Sequence, residues 1–117
     1  MSGNVVLKKS KEFAIRIIRL YQHLNREKRE FVLSKQVLRS GTSIGANVRE
    51  AHRGQSKKDF IHKMSIALKE AAETEYWLEL LHESDYISES EYNSIAPDCS
   101  ELNRMLISTL KTSKSNN

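Results

Sequence analysis

A chain of 117 residues is long enough for one domain with one hydrophobic core and leaves no room for a separate substrate domain. Four glycines and one proline among many Leu, Ile, Glu, Lys, Arg, Ser and Ala residues predict a helical protein, and the formal net charge is +4. Cys99 is the single cysteine, which excludes an internal disulfide and a cysteine-based zinc site, and no apolar run reaches the length of a signal peptide or a membrane span. We therefore expect a cytoplasmic protein with no membrane association.

The first two helices are predicted from apolar periodicity. Ser10 is a candidate N-cap, and the apolar residues after it recur every three or four positions as far as Leu24, which predicts helix 1 over about 9–26. A second period begins at Leu33 and predicts helix 2 over about 33–53.

Capping signals mark the starts of the last two helices. Ser56 is followed three residues later by Asp59, and Ser88 in the same way by Glu91, which is the spacing of a capping box. These signals predict helix 3 over about 57–83 and helix 4 over about 89–112, with disordered termini before Val5 and after Thr112.

Pro97 lies inside the predicted helix 4. Because proline lacks an N–H and clashes with the carbonyl four residues before it, we expect a kink or a restart there. Four helices with short connections predict an all-α fold, an antiparallel up-down four-helix bundle formed as one domain by residues 1–117.

The stretch RSGTSIGANVREA, residues 39–51, is rich in small side chains. A phosphate-binding loop would need a preceding strand and a GxGxxG or GxxxxGK[ST] pattern, and neither is present. Gly41 and Gly45 instead lie beside the apolar stripe of helix 2, where each costs about 1 kcal/mol relative to alanine. Close packing of a neighbouring helix would offset that cost, with Ser43 and Asn47 hydrogen-bonded across the contact. A small-residue groove for a ligand is the alternative.

The run SGTSIGANVREA, followed by SKKDFIHKMSIALKEAAETEYWLELL, resembles the bacterial four helix bundle protein family. This family includes the protein encoded in intervening sequences of 23S ribosomal RNA genes, and it is similar to the accessory variability protein of diversity-generating retroelements. The resemblance covers helices 2 and 3 closely and helix 4 more loosely. The chain matches the family pattern S-I-x-x-N-[IV]-x-E-G except at its last position, where Ala51 replaces glycine; the matching residues are Ser43, Ile44, Asn47, Val48 and Glu50.

The resemblance implies a cytoplasmic four-helix bundle that assembles into a ring-shaped homopentamer. It also implies contact with RNA or DNA, or with a nucleic-acid enzyme such as a reverse transcriptase, because the retroelement relative is thought to use a basic surface in this way. The helix–helix motif that carries the resemblance comprises Gly41, Ser43, Gly45, Asn47 and Glu50.

Two sets of apolar residues point away from the predicted core. Helix 1 carries Ile15 and Ile18, and helix 3 carries Ile66, Trp77 and Leu80. Exposed apolar patches mark sites of association, and tryptophan is favoured as an interface anchor. We therefore predict a homo-oligomer that assembles through helices 1 and 3.

The charged residues are distributed unevenly along the chain. Residues 1–58 contain 14 Lys and Arg against 4 Asp and Glu, a net charge of +10, whereas residues 59–117 contain 5 against 11, a net charge of −6. A basic surface predicted on helix 2 and the start of helix 3 has no aromatic residues among its cations, which are Lys35, Arg39, Arg49, Arg53, Lys57 and Lys58. It could bind RNA, DNA or an acidic partner, or it could match the acidic half of the chain.

The patterns that would indicate catalysis or metal binding are incomplete. Glu79 and His82 have the Glu-x-x-His spacing of di-iron bundles, but such sites need that spacing on two helices. Glu75 is predicted to be a buried carboxylate held by Asn47 or by a serine of helix 2, and Cys99 is predicted to pack in the core. With no triad spacing either, we expect no enzyme activity, no cofactor and no metal.

These observations leave two interpretations. The first is a non-enzymatic oligomeric four-helix bundle whose basic surface contacts nucleic acid. The alternative is a protein–protein adaptor or scaffold that does not bind nucleic acid.

Overall fold

Four helices form the chain in the computed structural model, which describes the backbone of residues 2–115 and the side chains of residues 5–115. Each helix contacts the helix before and after it in the chain, and α1 also contacts α4, so the predicted antiparallel four-helix bundle is confirmed. Within the described residues the backbones of α1 and α3, and those of α2 and α4, do not approach each other closely, which places these pairs at opposite corners of the bundle. The helices are α1 Ser2–Arg26, α2 Leu33–His52, α3 Lys57–Glu83 and α4 Glu89–Ser115.

The apolar stripes predicted from the 3.6-residue period meet along the bundle axis. Each helix contributes one residue to the core every three or four positions, as expected when a single helix face is buried. The largest fully buried side chains include Ile17 and Leu24 of α1, Ile44 of α2, Met64, Leu78 and Leu81 of α3, and Leu102 and Leu106 of α4.

The first and last helices are longer than the sequence predicts. The backbone is helical from Ser2 and remains helical to Ser115, beyond the predicted bounds of helices 1 and 4, and the disorder expected at the termini stays a prediction. Met1, Asn116 and Asn117 lie outside the described residues. Once a helix is nucleated, each added residue gains one backbone hydrogen bond, and the helix extends past its last apolar contact.

Ser10 is not the N-cap of α1, because it lies in the middle of that helix. Its hydroxyl donates to the carbonyl of Leu7 at 3.2 Å, a bond within the helix, and the residue is buried against α2. The other two capping predictions are confirmed. The backbone N–H of Asp59 donates to the Ser56 hydroxyl at 3.0 Å, and Ser88 and Glu91 exchange the two bonds of a capping box. The bonds from Ser88 lower the pKa of the Glu91 carboxyl.

The start of α2 depends on a residue that the sequence analysis did not identify. The Glu30 carboxylate is buried and accepts the backbone N–H groups of Val32, Leu33 and Ser34 at 3.1, 2.9 and 2.7 Å. The hydroxyl of Ser34 donates in return to the Glu30 carbonyl at 2.9 Å. Glu30 therefore satisfies N–H groups that have no partner within the helix.

Pro97 does not interrupt α4, which runs continuously from Glu89 to Ser115. The proline is exposed, so the carbonyl that loses its helical partner, that of Asn93, lies on the solvent side. The predicted restart at Pro97 is therefore wrong.

Candidate nucleic-acid and assembly surfaces

The glycines of α2 lie where α1 packs closely against it. A Cβ at Gly41 would lie 2.7 Å from Ile17 Cγ1 and 2.9 Å from its Cγ2, and a Cβ at Gly45 would lie 3.2 Å from the Ser10 carbonyl oxygen. Because real Cβ atoms essentially never approach below 3.0 Å, Gly41 fits only without a side chain. The small residues therefore allow close helix packing within one subunit. This packing accounts for the glycines without the alternative interpretation of a ligand groove.

The polar residues of the same stretch do not cross-link two helices. The Ser43 hydroxyl donates to the Arg39 carbonyl at 2.6 Å, and the Asn47 amide donates to the Ser43 carbonyl at 2.8 Å, both within α2. The prediction of hydrogen bonds between helices from these two side chains is wrong. Glu50 does reach a neighbouring helix, because its carboxylate forms an ion pair with Lys63 of α3, with 2.8 Å between Glu50 Oε1 and Lys63 Nζ.

The six cations predicted as one basic surface lie in three different settings. Lys35 is exposed near the start of α2, about 27 Å along the helix from Arg53 at 1.5 Å per residue. Arg39 forms ion pairs with Glu70 and Glu73 of α3, so its charge is largely balanced. The indole N–H of Trp77 also donates to Glu73, and together with Arg39 it lowers the pKa of that carboxyl.

The remaining four cations lie together at the end of the bundle where α2 ends and α3 begins. Two lysines of α1 join them, because a cleft of about 350 Å³ is lined by Leu7, Lys8, Lys11, Arg49, His52 and Arg53. All six cations of this cluster are exposed, and none is in an ion pair with another described side chain. We call the cluster the basic end, and it comprises Lys8, Lys11, Arg49, Arg53, Lys57 and Lys58.

Lys8 lies outside the predicted helix 1, which starts at residue 9, whereas Lys11 lies inside it but was not assigned to the basic surface. A helix that begins at Ser2 puts both lysines three residues apart on its exposed side. The signal was present in the sequence, in the apolar residue Val6 that extends the core stripe by two turns before Phe13.

The predicted assembly residues differ in exposure. Ile15 and Ile18 of α1 are 43% and 40% exposed, as expected for residues pointing away from the core. Trp77 is half-buried and packs against the core, while Ile66 and Leu80 are also half-buried. The neighbour of Trp77, Tyr76, is the large aromatic residue that α3 exposes, with its ring centroid 5.3 Å from that of Trp77.

Comparison with known proteins identifies the family to which the chain belongs. The model of the 23S rRNA-intervening sequence protein family matches residues 3–108, which spans all four helices. The chain belongs to this family. A crystal structure of a protein of unknown function from the S23 ribosomal protein family of Bacteroides thetaiotaomicron is 60% identical, with a TM-score of 0.93 over 95% of this chain and 99% of that one. No curated protein resembles the chain closely enough to count as a match.

The family pattern ends in glycine where this 23S rRNA-intervening sequence family member has alanine. Ala51 is buried, and its methyl group is part of the hydrophobic core. The side chain is therefore accommodated by core packing at the end of α2.

The residues considered for chemistry have structural roles in this family member. Cys99 is buried, its thiol donates to the Ala71 carbonyl at 3.4 Å, and burial raises the pKa of the thiol to about 12. The His82 ring stacks on Tyr92 at 4.3 Å. Within residues 5–115, no three His, Cys, Asp or Glu side chains converge as metal ligands would.

Glu75 is half-buried, but its partner is not on α2. The Ser100 hydroxyl of α4 donates to its carboxylate at 3.1 Å, so the predicted contact with Asn47 or a serine of α2 is wrong. Glu75 faces α4 because it lies on the opposite flank of α3 from Glu70 and Thr74, which contact α2.

Among residues 2–115, no helix combines the length and the apolar character that crossing a lipid bilayer requires.

Proposed function

We propose that this chain is a non-enzymatic, oligomeric protein that binds the phosphate backbone of nucleic acid through its basic end. The observation that supports the proposal is a cleft lined by four exposed cations of α1 and of the end of α2, with two further exposed lysines at the start of α3, and none of the six has an ion-pair partner among the described residues. Each cation that neutralises a phosphate releases condensed counterions, and this release drives binding.

Lys57 and Lys58 distinguish the basic end from an ordinary solvated face. Both lie in the first turn of α3, where the helix dipole makes cations unfavourable by about 0.3–1 kcal/mol each. Arg49 and Arg53, at the C-terminal end of α2, are favoured by the dipole of that helix and need no functional explanation. The lysines at the start of α3 therefore carry a stability cost that phosphate binding would offset.

The basic end is suited to binding without sequence readout. Phe60, which lies beside the basic end, is half-buried against the core and has its ring centroid 5.4 Å from that of His52 in an edge-on contact, so little of its ring is available for base stacking. Phosphate contacts alone position a nucleic acid but do not read its sequence.

Binding of single-stranded RNA is expected to weaken steeply with salt. If all six cations contact phosphates, affinity should fall by about 300-fold between 50 and 200 mM salt, and by only about 50-fold in the double variant Arg49→Gln with Arg53→Gln. Fluorescence anisotropy with a labelled oligonucleotide of mixed sequence, repeated with the DNA equivalent, measures both slopes.

The same helix provides a matched control. Lys35→Gln with Arg39→Gln removes two cations at the same four-residue spacing, one distant from the basic end and one already ion-paired. This control should retain the wild-type salt slope. Equal loss in both double variants would show that binding follows net charge rather than the basic end, and no binding of RNA or DNA at 50 mM salt would refute the proposed function.

We further propose that the subunits associate side by side through the outer faces of α1 and α3. These helices occupy opposite corners of the bundle, so one subunit would offer two different surfaces to two neighbours. Such head-to-tail contacts close into rings, and a ring with an odd number of subunits requires them. The pentamer implied by the family resemblance fits this arrangement.

Replacing Ile15 and Ile18 with serine is expected to dissociate the oligomer without unfolding the subunit, because both side chains are already more than one third exposed. Light scattering on a size-exclusion column should give a wild-type mass near five times 13.5 kDa and a variant mass near 13.5 kDa. Ile107→Ser is the control, since Ile107 is similarly exposed on α4. A wild-type protein that is monomeric at all concentrations would contradict the proposed assembly.

A protein adaptor is the second candidate function, and the exposed apolar residues of α1 and α3 favour it. It predicts an oligomer that binds neither RNA nor DNA at low salt. The anisotropy measurement therefore separates the two functions.

A further inference from the structure

The loop between α1 and α2, residues 27–32, holds two large apolar side chains in solvent. Phe31 is 48% exposed and Val32 is 71% exposed, and they are adjacent in the chain. Neither residue belongs to the buried core or to the half-buried residues that pack against it. Leaving two such neighbours in water forgoes stabilisation that burial against a partner would provide.

This loop is fixed by hydrogen bonds rather than loosely connected. The buried Glu30 carboxylate holds the start of α2, and the Glu30 N–H donates to the Leu24 carbonyl at 2.9 Å. Arg29 adopts a φ of 54°, a left-handed conformation that is uncommon for residues other than glycine. Phe31 and Val32 are therefore presented in one arrangement, which lowers the entropy lost on binding.

The charges beside Phe31 and Val32 indicate the kind of partner that fits. Lys28 and Arg29 are exposed, form no ion pair with another described residue, and outnumber the one exposed carboxylate of the loop, that of Glu27. The charge of Lys28 also helps to lower the pKa of the Glu91 carboxyl. A partner for this loop should therefore offer an apolar surface flanked by carboxylates.

The chain itself carries such a surface, on the outer side of the C-terminal half of α3. Tyr76 is 54% exposed and Leu80 is half-buried, and the exposed carboxylates of Glu79 and Glu83 lie three residues after each of them. Residues spaced three, four and seven positions apart share one face of a helix. We call these four residues the α3 stripe.

We propose that the loop bearing Phe31 and Val32 docks on the α3 stripe of a second copy of this chain. The inference rests on the side-by-side association proposed above. Both elements lie at the same end of the bundle, because α1 ends and α2 begins there, and α3 also ends there. The loop joins α1 to α2, whereas the α3 stripe lies on the outer face of α3, whose backbone does not closely approach that of α1 among the described residues. Neighbours in a ring whose bundle axes run in the same direction would bring the two together.

The first test removes the apolar anchors. Phe31→Ser with Val32→Ser should reduce the mass measured by light scattering from the oligomer to 13.5 kDa, with the far-ultraviolet circular dichroism unchanged. Ile107→Ser, a similarly exposed residue of α4, is the matched control and should remain oligomeric. A double-serine variant that keeps the wild-type mass would overturn the proposal.

The second test exchanges the charges and does not depend on the first variant folding. Lys28→Glu with Arg29→Asp should weaken the oligomer, and Glu79→Lys with Glu83→Lys should weaken it to a similar extent. A chain that carries all four substitutions restores opposite charges at every contact and should recover the wild-type mass. If the fourfold variant dissociates further than either pair, the two surfaces do not face each other and the proposal is wrong.

The outcomes separate this inference from the proposed function. A monomeric wild-type protein would overturn both the assembly and the loop contact. An oligomer whose mass is unchanged by the loop substitutions would overturn only the loop contact. RNA affinity of single subunits should not change in the loop variants, because the basic end lies at the opposite end of the bundle.

Discussion

Replacing Gly41 with leucine is expected to destabilise the fold by about 3 kcal/mol, the upper part of the range for overpacked cores. Even a Cβ at this position would lie 2.7 Å from Ile17 Cγ1, and Ile17 is fully buried and branched at Cβ, so it cannot move aside without shifting α1. Urea unfolding at a fixed protein concentration, followed by circular dichroism, measures the loss as a lower midpoint.

Ala46→Leu is the control for Gly41→Leu. Ala46 lies in the same helix but is exposed, and alanine and leucine have similar helix propensities, so its midpoint should change little. Combining Gly41→Ala with Ile17→Ala should cost less than the sum of the single changes, because the new methyl enters the space that Ile17 leaves. Additive costs would show that the two residues are not in close contact.

Replacing Glu30 with alanine is expected to cost about 2 kcal/mol of folding free energy. The substitution leaves the N–H groups of Val32, Leu33 and Ser34 without the carboxylate that accepts them at 2.7–3.1 Å. The measurement is the urea midpoint, together with amide hydrogen exchange of the first turn of α2, which should become faster.

Glu27→Ala is the matched control for the Glu30 substitution. Glu27 carries the same charge in the same loop but is exposed, and its side chain forms no hydrogen bond or ion pair among the described residues. If the two variants unfold at the same urea concentration, the Glu30 carboxylate does not support the start of α2.

Local sequence patterns predicted the helices well because the interactions that form them are local. The capping bonds of Ser56 with Asp59 and of Ser88 with Glu91 join residues three positions apart, and they form in the structure as predicted. Ser10 has the sequence signature of an N-cap, but a serine inside a helix has the same signature, and its hydroxyl bonds to the backbone of its own helix.

The candidate site was predicted less well, because it depends on which helices are neighbours. Arg39 is on the same side of α2 as Arg53, yet it is balanced by carboxylates of α3, which periodicity along α2 cannot reveal. In the same way, Glu75 is bound by Ser100 of α4 rather than by α2. The Glu30 cap was missed because its side chain reaches forward from a loop instead of from the N-cap position.

The sequence by itself determined four amphipathic helices, two of their caps and the face of α2 that carries small side chains, since each is set by residue types within one or two turns. Only the tertiary structure decided what those features contact. It placed Ile17 against Gly41, brought Lys8 and Lys11 beside Arg49 and Arg53, and left Phe31 and Val32 in solvent. The physical reason is that the register between antiparallel helices is fixed by side-chain packing across the bundle, which joins residues far apart in the chain.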